Sequence, residues 1–382
     1  MQTDSDDAVL PLPPPAGEGR SELLPLPPSA GEGRGEGSLR NGLRLSDYDF
    51  EFPDSLIADK PAEPRDSARL LVLDRSTGRV EHALFRDLGR WLKPGDLLVV
   101  NRSRVVPARI VGKKSTGGKV ELLLVREESP GIWSAIASGA KAGARVLLED
   151  GWSAQVAPGK DGEWLCRFSG TDVAAYAAKH GEAPLPPYIV KRRRGLGSPR
   201  LSAQDGSDYQ TVYAREEGSI AAPTAGLHFT RELLSSLEAS GVRRAEMLLH
   251  VGPGTFRPIV REDLREHRML PEWYRLEPAA LSELRAARER GGRTVAVGTT
   301  AARALESWAK TGQTEGATNL FITPGHEFHA FDSFITNFHL PCSTPLVLAS
   351  AFAGRERLLG AYREAIQLGY RLYSYGDAML IL

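Results

Sequence analysis

The chain has 382 residues, 48 Lys plus Arg against 48 Asp plus Glu, and a formal net charge of zero with neutral histidines. That balance excludes capture of a polyanion by the field of the whole molecule and leaves only local basic patches for the purpose. Hydrophobic residues make up 41% and the two cysteines, Cys166 and Cys342, lie far apart, so neither a bilayer span of ~18 apolar residues nor a disulfide framework or zinc site is expected.

Residues 10–20, "LPLPPPAGEGR", return almost unchanged at 24–34 as "LPLPPSAGEGR". A segment so rich in Pro, Gly and Glu buries too little apolar surface to offset the entropy of ordering, and residues 1–42 read as a disordered extension. It is either a passive tail or a polyproline II ligand. Ordered texture begins after it. "ARLLVLDRSTGRVEHALF" is two apolar-alternating runs around Ser-Thr-Gly, a hairpin signal, and "DLLVVNRSRVVPARIVG" continues as strand. From 107 to 170 short β-type runs alternate with Gly-rich turns, the pattern of a small barrel or sandwich. Then "YQTVYA" and "AEMLLHV" read as strands flanking the helix "RELLSSLEAS", with Thr230 as its N-cap and Gly241 past its end. Helix "LSELRAARER", strand "TVAVG", helix "AARALESWAK", strand "NLFIT" and helix "ERLLGAYREAIQL" follow. Strand and helix in alternation give an α/β body with substantial parallel pairing. The expected architecture is an α/β domain over 43–106 and 171–382, interrupted by a β-barrel domain over 107–170.

The loops that leave these strands carry the chemistry. "SIAAPTAGLHFT" (219–230) is mostly small residues with Pro223, Thr224, Gly226 and one imidazole, His228. "LHVGPGTFRP" (249–258) holds His250, Gly252, Gly254 and Thr255, where glycines are free to adopt angles closed to other residues. "VAVGTTAARALE" (295–306) sets Gly298, Thr299 and Thr300 at a helix start, whose free N–H groups suit a carboxylate or phosphate. "ITNFHLPCSTP" (335–345) adds Asn337 and His339. Taken singly each fits an ordinary turn; together they point to one shared pocket at the carboxyl ends of the strands. The histidines supply groups that titrate near neutral pH. "HEFH" (326–329) lacks the spacing of a zinc motif. Finally, "PLPPYIVKRRRG" (184–195) places Tyr188 and the charges of Lys191, Arg192, Arg193 and Arg194 on a proline-stiffened arm, a phosphate clamp for RNA or a solvated loop.

Several segments in fixed order resemble one family: "LSDYDFEFPDSLIA", "LVVNRSRVVPARI", "PLPPYI", "YQTVYA", "GSIAAPTAGLHFT", "HVGPGTF", "VGTT", "ITNFHLPCSTPL", "SAFAG" and "SYGDAMLI". Together these are similar to the S-adenosylmethionine:tRNA ribosyltransferase-isomerases of queuosine biosynthesis. The resemblance implies an α/β domain interrupted by a β-barrel. It also implies transfer and isomerisation of the ribosyl group of S-adenosylmethionine onto 7-aminomethyl-7-deazaguanine at the wobble position of tRNA, releasing adenine and methionine. S-adenosylmethionine would be consumed as a co-substrate with no cofactor or metal, by a monomer in the cytoplasm. On that footing His228 and His339 are the expected acid/base groups, with His250 a third. Loops 252–255 and 298–300 would hold the methionine carboxylate and ribose through backbone donors, Pro223, Thr224 and Gly226 would shape the adenosine pocket, Asn337 would also bind substrate, and Tyr188, Lys191, Arg192, Arg193 and Arg194 would meet the anticodon arm. Two positions depart from the family pattern: Leu270, where a histidine is common, and Asp208, where an arginine is. Against an ordinary methyltransferase stands the lack of an early strand followed by a Gly-x-Gly loop; against a noncatalytic RNA-binding module stand four loops that would have no purpose.

Overall fold

The computed structural model describes residues 42–160, 162–202, 204–252, 254 and 259–382. The duplicated proline-rich segment lies outside the described residues, as does Thr255.

Two apolar runs joined through Ser-Thr-Gly form β1 (Arg69–Leu73) and β2 (Val80–Leu84), an antiparallel pair as their alternation requires. The chain continues through β3 (Leu97–Asn101) and β4 (Ser103–Val105) into the barrel strands β5 (Arg109–Lys114), β6 (Lys119–Ser129), β7 (Ile132–Ser138), β8 (Arg145–Leu147), β9 (Ser153–Pro158) and β10 (Trp164–Phe168). These six close in the order β10-β7-β6-β5-β8-β9. Inward positions carry Ile110, Val120, Leu122, Val146, Val156 and Cys166. Burial pushes the Cys166 thiol up to about 12, so it packs as a small hydrophobe and stays protonated.

Helix α1 (Val173–His180) packs on the barrel core through Val173, Tyr176 and Ala177. The body resumes with α2 (Pro187–Gly195), then β11 (Glu216–Ser219), α3 (Arg231–Ala239), β12 (Arg243–Leu249), β13 (Glu272–Arg275), α4 (Pro278–Glu289), β14 (Thr294–Val297), α5 (Gly298–Thr311), β15 (Glu315–Thr318), β16 (Ser333–Asn337), α6 (Thr344–Ala353), α7 (Arg355–Gln367) and β17 (Ala378–Ile381). Among the described residues nine strands form one sheet, β15-β13-β12-β3-β14-β16-β17-β1-β2. Strands β12, β3, β14 and β16 run parallel, while β17 is antiparallel to β16 and parallel to β1. The period of two divides β3 between two cores: Leu97 and Val99 join the side packed by α4 to α7, Leu98 and Val100 the side packed by α3. Both faces are covered, which is why the central strands read as continuous apolar runs.

Three sequence expectations are corrected. "YQTVYA" is a turn rather than a strand, and the strand beside it is the polar β11, paired with β4 in its own two-stranded ribbon. Tyr209 and Tyr213 made the segment read as β because they are buried anchors. "NLFIT" stays outside the sheet, for the Leu320 carbonyl accepts from Arg303 at 3.0 Å and its N–H donates to Thr318 Oγ1 at 3.2 Å. "PLPPYIVKRRRG" is no extended arm. Pro187 occupies the first turn of α2, where a missing N–H costs nothing.

Helix α3 starts as read. Thr230 Oγ1 accepts from the Leu233 N–H at 3.1 Å and donates to Asp66 Oδ2 at 3.1 Å, and Gly241 beyond its end has φ +88°. Thr230→Ala is expected to cost about 1 kcal/mol in urea unfolding, with Thr230→Ser recovering most of it. The chain leaves the body for the barrel and returns to it side by side, where Arg109 and Glu182 exchange backbone bonds of 3.2 and 2.8 Å.

Candidate active site

Residues 221–225 after β11, 298–300 after β14 and 338–343 after β16 converge on a cavity of about 620 Å³, bounded on its other sides by α2 and by Tyr373 and Ser374 ahead of β17. Three helices begin at its wall: α2 at Pro187, α5 at Gly298 and α6 just after Ser343. The first N–H groups of a helix have no partner within it. At α6 the Leu346 N–H is taken by Ser343 Oγ at 3.4 Å and α2 opens on a proline, which leaves the α5 start at 298–300 as the one of the three placed to offer free donors. Gly298 enters α5 with φ +87°, an angle that admits glycine with little strain; the space around it is not the constraint, for a Cβ there would lie 3.6 Å from the Ala225 methyl.

Asn337 of β16 and His339 of its loop stand on the wall. His339 Nε2 bonds to Thr336 Oγ1 at 2.6 Å and its backbone N–H donates to the Tyr362 hydroxyl at 2.8 Å. Burial lowers its pKa to about 3, which keeps the ring neutral. Nδ1 is left without a hydrogen bond among the described residues. Asn337 Nδ2 meets His228 Nε2 and the Tyr373 carbonyl, each at 3.1 Å, while Oδ1 and the nearby Thr300 Oγ1 are buried without a partner.

Of the residues expected at the site, Pro223, Thr224, Gly298, Thr299, Thr300, Asn337, His339, Tyr188 and Lys191 line the cavity. Others are elsewhere. His228 is 4% exposed, packed against Phe85 with ring centroids 5.1 Å apart, and reaches the cavity only through Asn337. Burial, then Arg371 and Arg65, lower its pKa to about 3. His250 lies away from the cavity, stacked on Trp273 at 5.2 Å. Gly226 is small for packing, since a Cβ would fall 2.0 Å from the Tyr213 hydroxyl. Neither Gly252 nor Gly254 has positive φ, and the Gly252 N–H already donates to Glu272 Oε1 at 2.9 Å. Glu272 Oε2 holds Arg303 of α5, so this loop serves as a brace. Leu270 packs beside Gly254.

The basic cluster also divides. Arg193 is buried in a two-pronged bond to Asp205 at 2.7 and 2.8 Å and is further tied to the Asp59 carbonyl; its charge is spent inside the fold. Tyr188 donates to or accepts from Ser374 Oγ at 2.5 Å and lies 4.9 Å from the Tyr373 ring, so it is part of the wall. Arg192 leans on the Ser55 carbonyl at 3.4 Å, while Lys191 and Arg194 are exposed. In "HEFH", Glu306 takes His326 Nε2 at 3.1 Å and the N–H groups of His329 and Ala330 at 3.0 and 2.9 Å, a bracket for a loop. Among the described residues no group of three or more His, Cys, Asp or Glu could hold a metal ion, and no helix is long and apolar enough to cross a membrane.

Sequence reasoning missed Tyr373 and Cys342, two non-glycine residues of the wall with φ of +74° and +53°. Nothing in "LYSYGD" or "PCST" signals a left-handed backbone. A second cavity of about 630 Å³ opens where the barrel joins the body, and Tyr209 belongs to both walls.

A family model described as Queuosine biosynthesis protein matches residues 45–381. The chain belongs to the family of S-adenosylmethionine:tRNA ribosyltransferase-isomerases. A relative of that name from Anaeromyxobacter sp. (strain K) is 52% identical over 353 residues, 89% of this chain and 99% of its own. One from Thermotoga maritima is 46% identical over 347 residues, 89% of this chain and all of its own. The crystal structure of S-adenosylmethionine tRNA ribosyltransferase from Thermotoga maritima aligns with a TM-score of 0.51 at 37% identity, covering 88% of this chain and 100% of that one. The family's α/β body with its β-barrel is thus the fold found here.

Proposed function

We propose that the chain transfers and isomerises the ribosyl group of S-adenosylmethionine onto 7-aminomethyl-7-deazaguanine in tRNA, giving epoxyqueuosine-tRNA, adenine and methionine. The observation that carries this reading is a single cavity combining helix starts, an aromatic wall and one neutral imidazole. The α5 start at 298–300 would receive the methionine carboxylate through N–H groups. Tyr188 and Tyr373, with Pro223, offer flat apolar surface to adenine.

A sulfonium acidifies the protons of its 5′ carbon, so a neutral base can begin the reaction. His339 Nδ1 would take that proton; the ribose ring opens, and adenine leaves with a proton returned by the imidazolium. The aminomethyl nitrogen adds to the 4′ carbon and loses its proton. The 5′ carbon then closes on the aldehyde at 1′, and the resulting alkoxide displaces methionine to form the epoxide. Such intermediates require exclusion of bulk water, which a cavity supplies and an open face does not.

The test uses tRNA bearing 7-aminomethyl-7-deazaguanine and two samples of S-adenosylmethionine, labelled in the ribose or in the methyl group. Ribose label in tRNA with release of adenine is expected; methyl label instead would make the protein a methyltransferase. Lys191, which lines the cavity, and Arg192 and Arg194 beside it on α2 would contact tRNA phosphates. Three contacts predict a slope of log affinity against log salt of about −2 to −3, measured by filter binding. A flat response would remove the anticodon arm from this face.

A further inference from the structure

We propose that His228 is a positioning residue, the acceptor that fixes Asn337 and, through it, the aromatic wall of the cavity. This inference rests on the proposed ribosyl transfer for its kinetic readout. The Asn337 amide nitrogen faces three groups: His228 Nε2 at 3.1 Å, the Tyr373 carbonyl at 3.1 Å and the Ser374 carbonyl at 3.5 Å. Both carbonyls only accept, so the amide must turn its NH2 to them and Oδ1 away. One of its two hydrogens therefore points at His228 Nε2, which must carry a lone pair. The ring is held as the tautomer protonated on Nδ1. With Asn337 2% and His228 4% exposed, water does not compete for either group.

The consequence reaches beyond the pair. Asn337 holds the carbonyl of Tyr373, whose φ of +74° is strained for a non-glycine residue and persists only when neighbours over-determine it. The Tyr373 N–H supplies a second tie, to the Phe338 carbonyl at 2.9 Å. Ser374, next along, bonds the Tyr188 hydroxyl at 2.5 Å, and the Tyr188 and Tyr373 rings meet at 4.9 Å. A line of hydrogen bonds thus runs from the loop after β11, through the end of β16 and the turn before β17, to α2. It joins four walls of one cavity, with His228 at its outer end.

The discriminating variants are H228Q and H228A, compared with wild type for ribosyl transfer across pH. A glutamine carries an amide oxygen that can accept from Asn337 but cannot exchange protons near neutrality. H228Q is expected to keep kcat within about fivefold and the wild-type pH profile, while H228A raises KM for S-adenosylmethionine by about 10- to 100-fold. N337A and the H228A/N337A double variant are expected to show coincident rather than additive losses. If H228Q is as impaired in kcat as H228A, or its pH profile loses a limb, His228 moves a proton and the inference is overturned. Wild-type behaviour of H228A overturns it equally, as does additivity in the double variant. Should wild type release adenine but transfer no ribose, the functional reading falls alone. Calorimetric titration with S-adenosylmethionine then decides: retention in H228Q with loss in H228A supports the inference, whereas equal affinities, or no binding by wild type, end it.

Discussion

Replacing His339 by alanine is expected to lower kcat by about 10²- to 10⁴-fold, the span of a positioned acid/base group, with adenine release followed at saturating substrate. KM for S-adenosylmethionine should change far less. A fall confined to KM would make His339 part of the binding wall and leave the 5′ proton to another group. The same substitution has a signature in stability. Burial holds the His339 pKa at about 3 against an ordinary 6.5, so below pH 6.5 the unfolded chain binds a proton that the folded ring refuses. Stability is therefore lost as pH falls from 6.5 toward 3. His228, depressed in the same way, adds to that loss. Urea titrations at stepped pH should show a shallower acid decline in H339A than in wild type.

Arg193→Ala is expected to be the most destabilising change in the basic cluster. Arg193 is 6% exposed and Asp205 is 2% exposed, so removing the cation strands a buried carboxylate and costs about 3–5 kcal/mol. Exchanging Asp205 for asparagine in the same chain should return part of that stability. Lys191→Ala and Arg194→Ala should leave the melting temperature within a degree or two and weaken tRNA binding instead. If R193A melts like wild type and binds tRNA more weakly, the buried pair is misassigned and Arg193 belongs with the surface cations.

The elements that were legible in the sequence are those whose own residues dictate them. The β1–β2 hairpin, the alternating barrel strands and the N-cap at Thr230 follow from local pattern, and so did the convergence of loops 223–225, 298–300 and 337–343 at strand ends. What was hidden depended on partners distant in sequence. Arg193 reads as one of four equivalent charges until Asp205 folds against it. His228 and His339 read alike, yet one stands on the wall and the other reaches it only through Asn337. The glycines at 252 and 254 suggested a ligand cradle, but the carboxylate that claims the Gly252 N–H lies twenty residues on, at Glu272. Strand β9, "SAQVAP", lacks the apolar alternation of its neighbours and is made a strand by pairing with β8 and β10. The buried tyrosines of "YQTVYA" mimic a strand that the backbone never forms.

The reciprocal bonds between Arg109 and Glu182 form part of the neck between barrel and body, alongside the Arg200–Glu121 ion pair and Ile220, which packs into the barrel core. A swing of one part against the other would strain that pair, and the second cavity, bounded by Glu182 and Tyr209, opens beside it. The amides of Arg109 and Glu182 are therefore built-in reporters. Their hydrogen-exchange rates, followed as tRNA is added, would register docking at the neck before any product had formed.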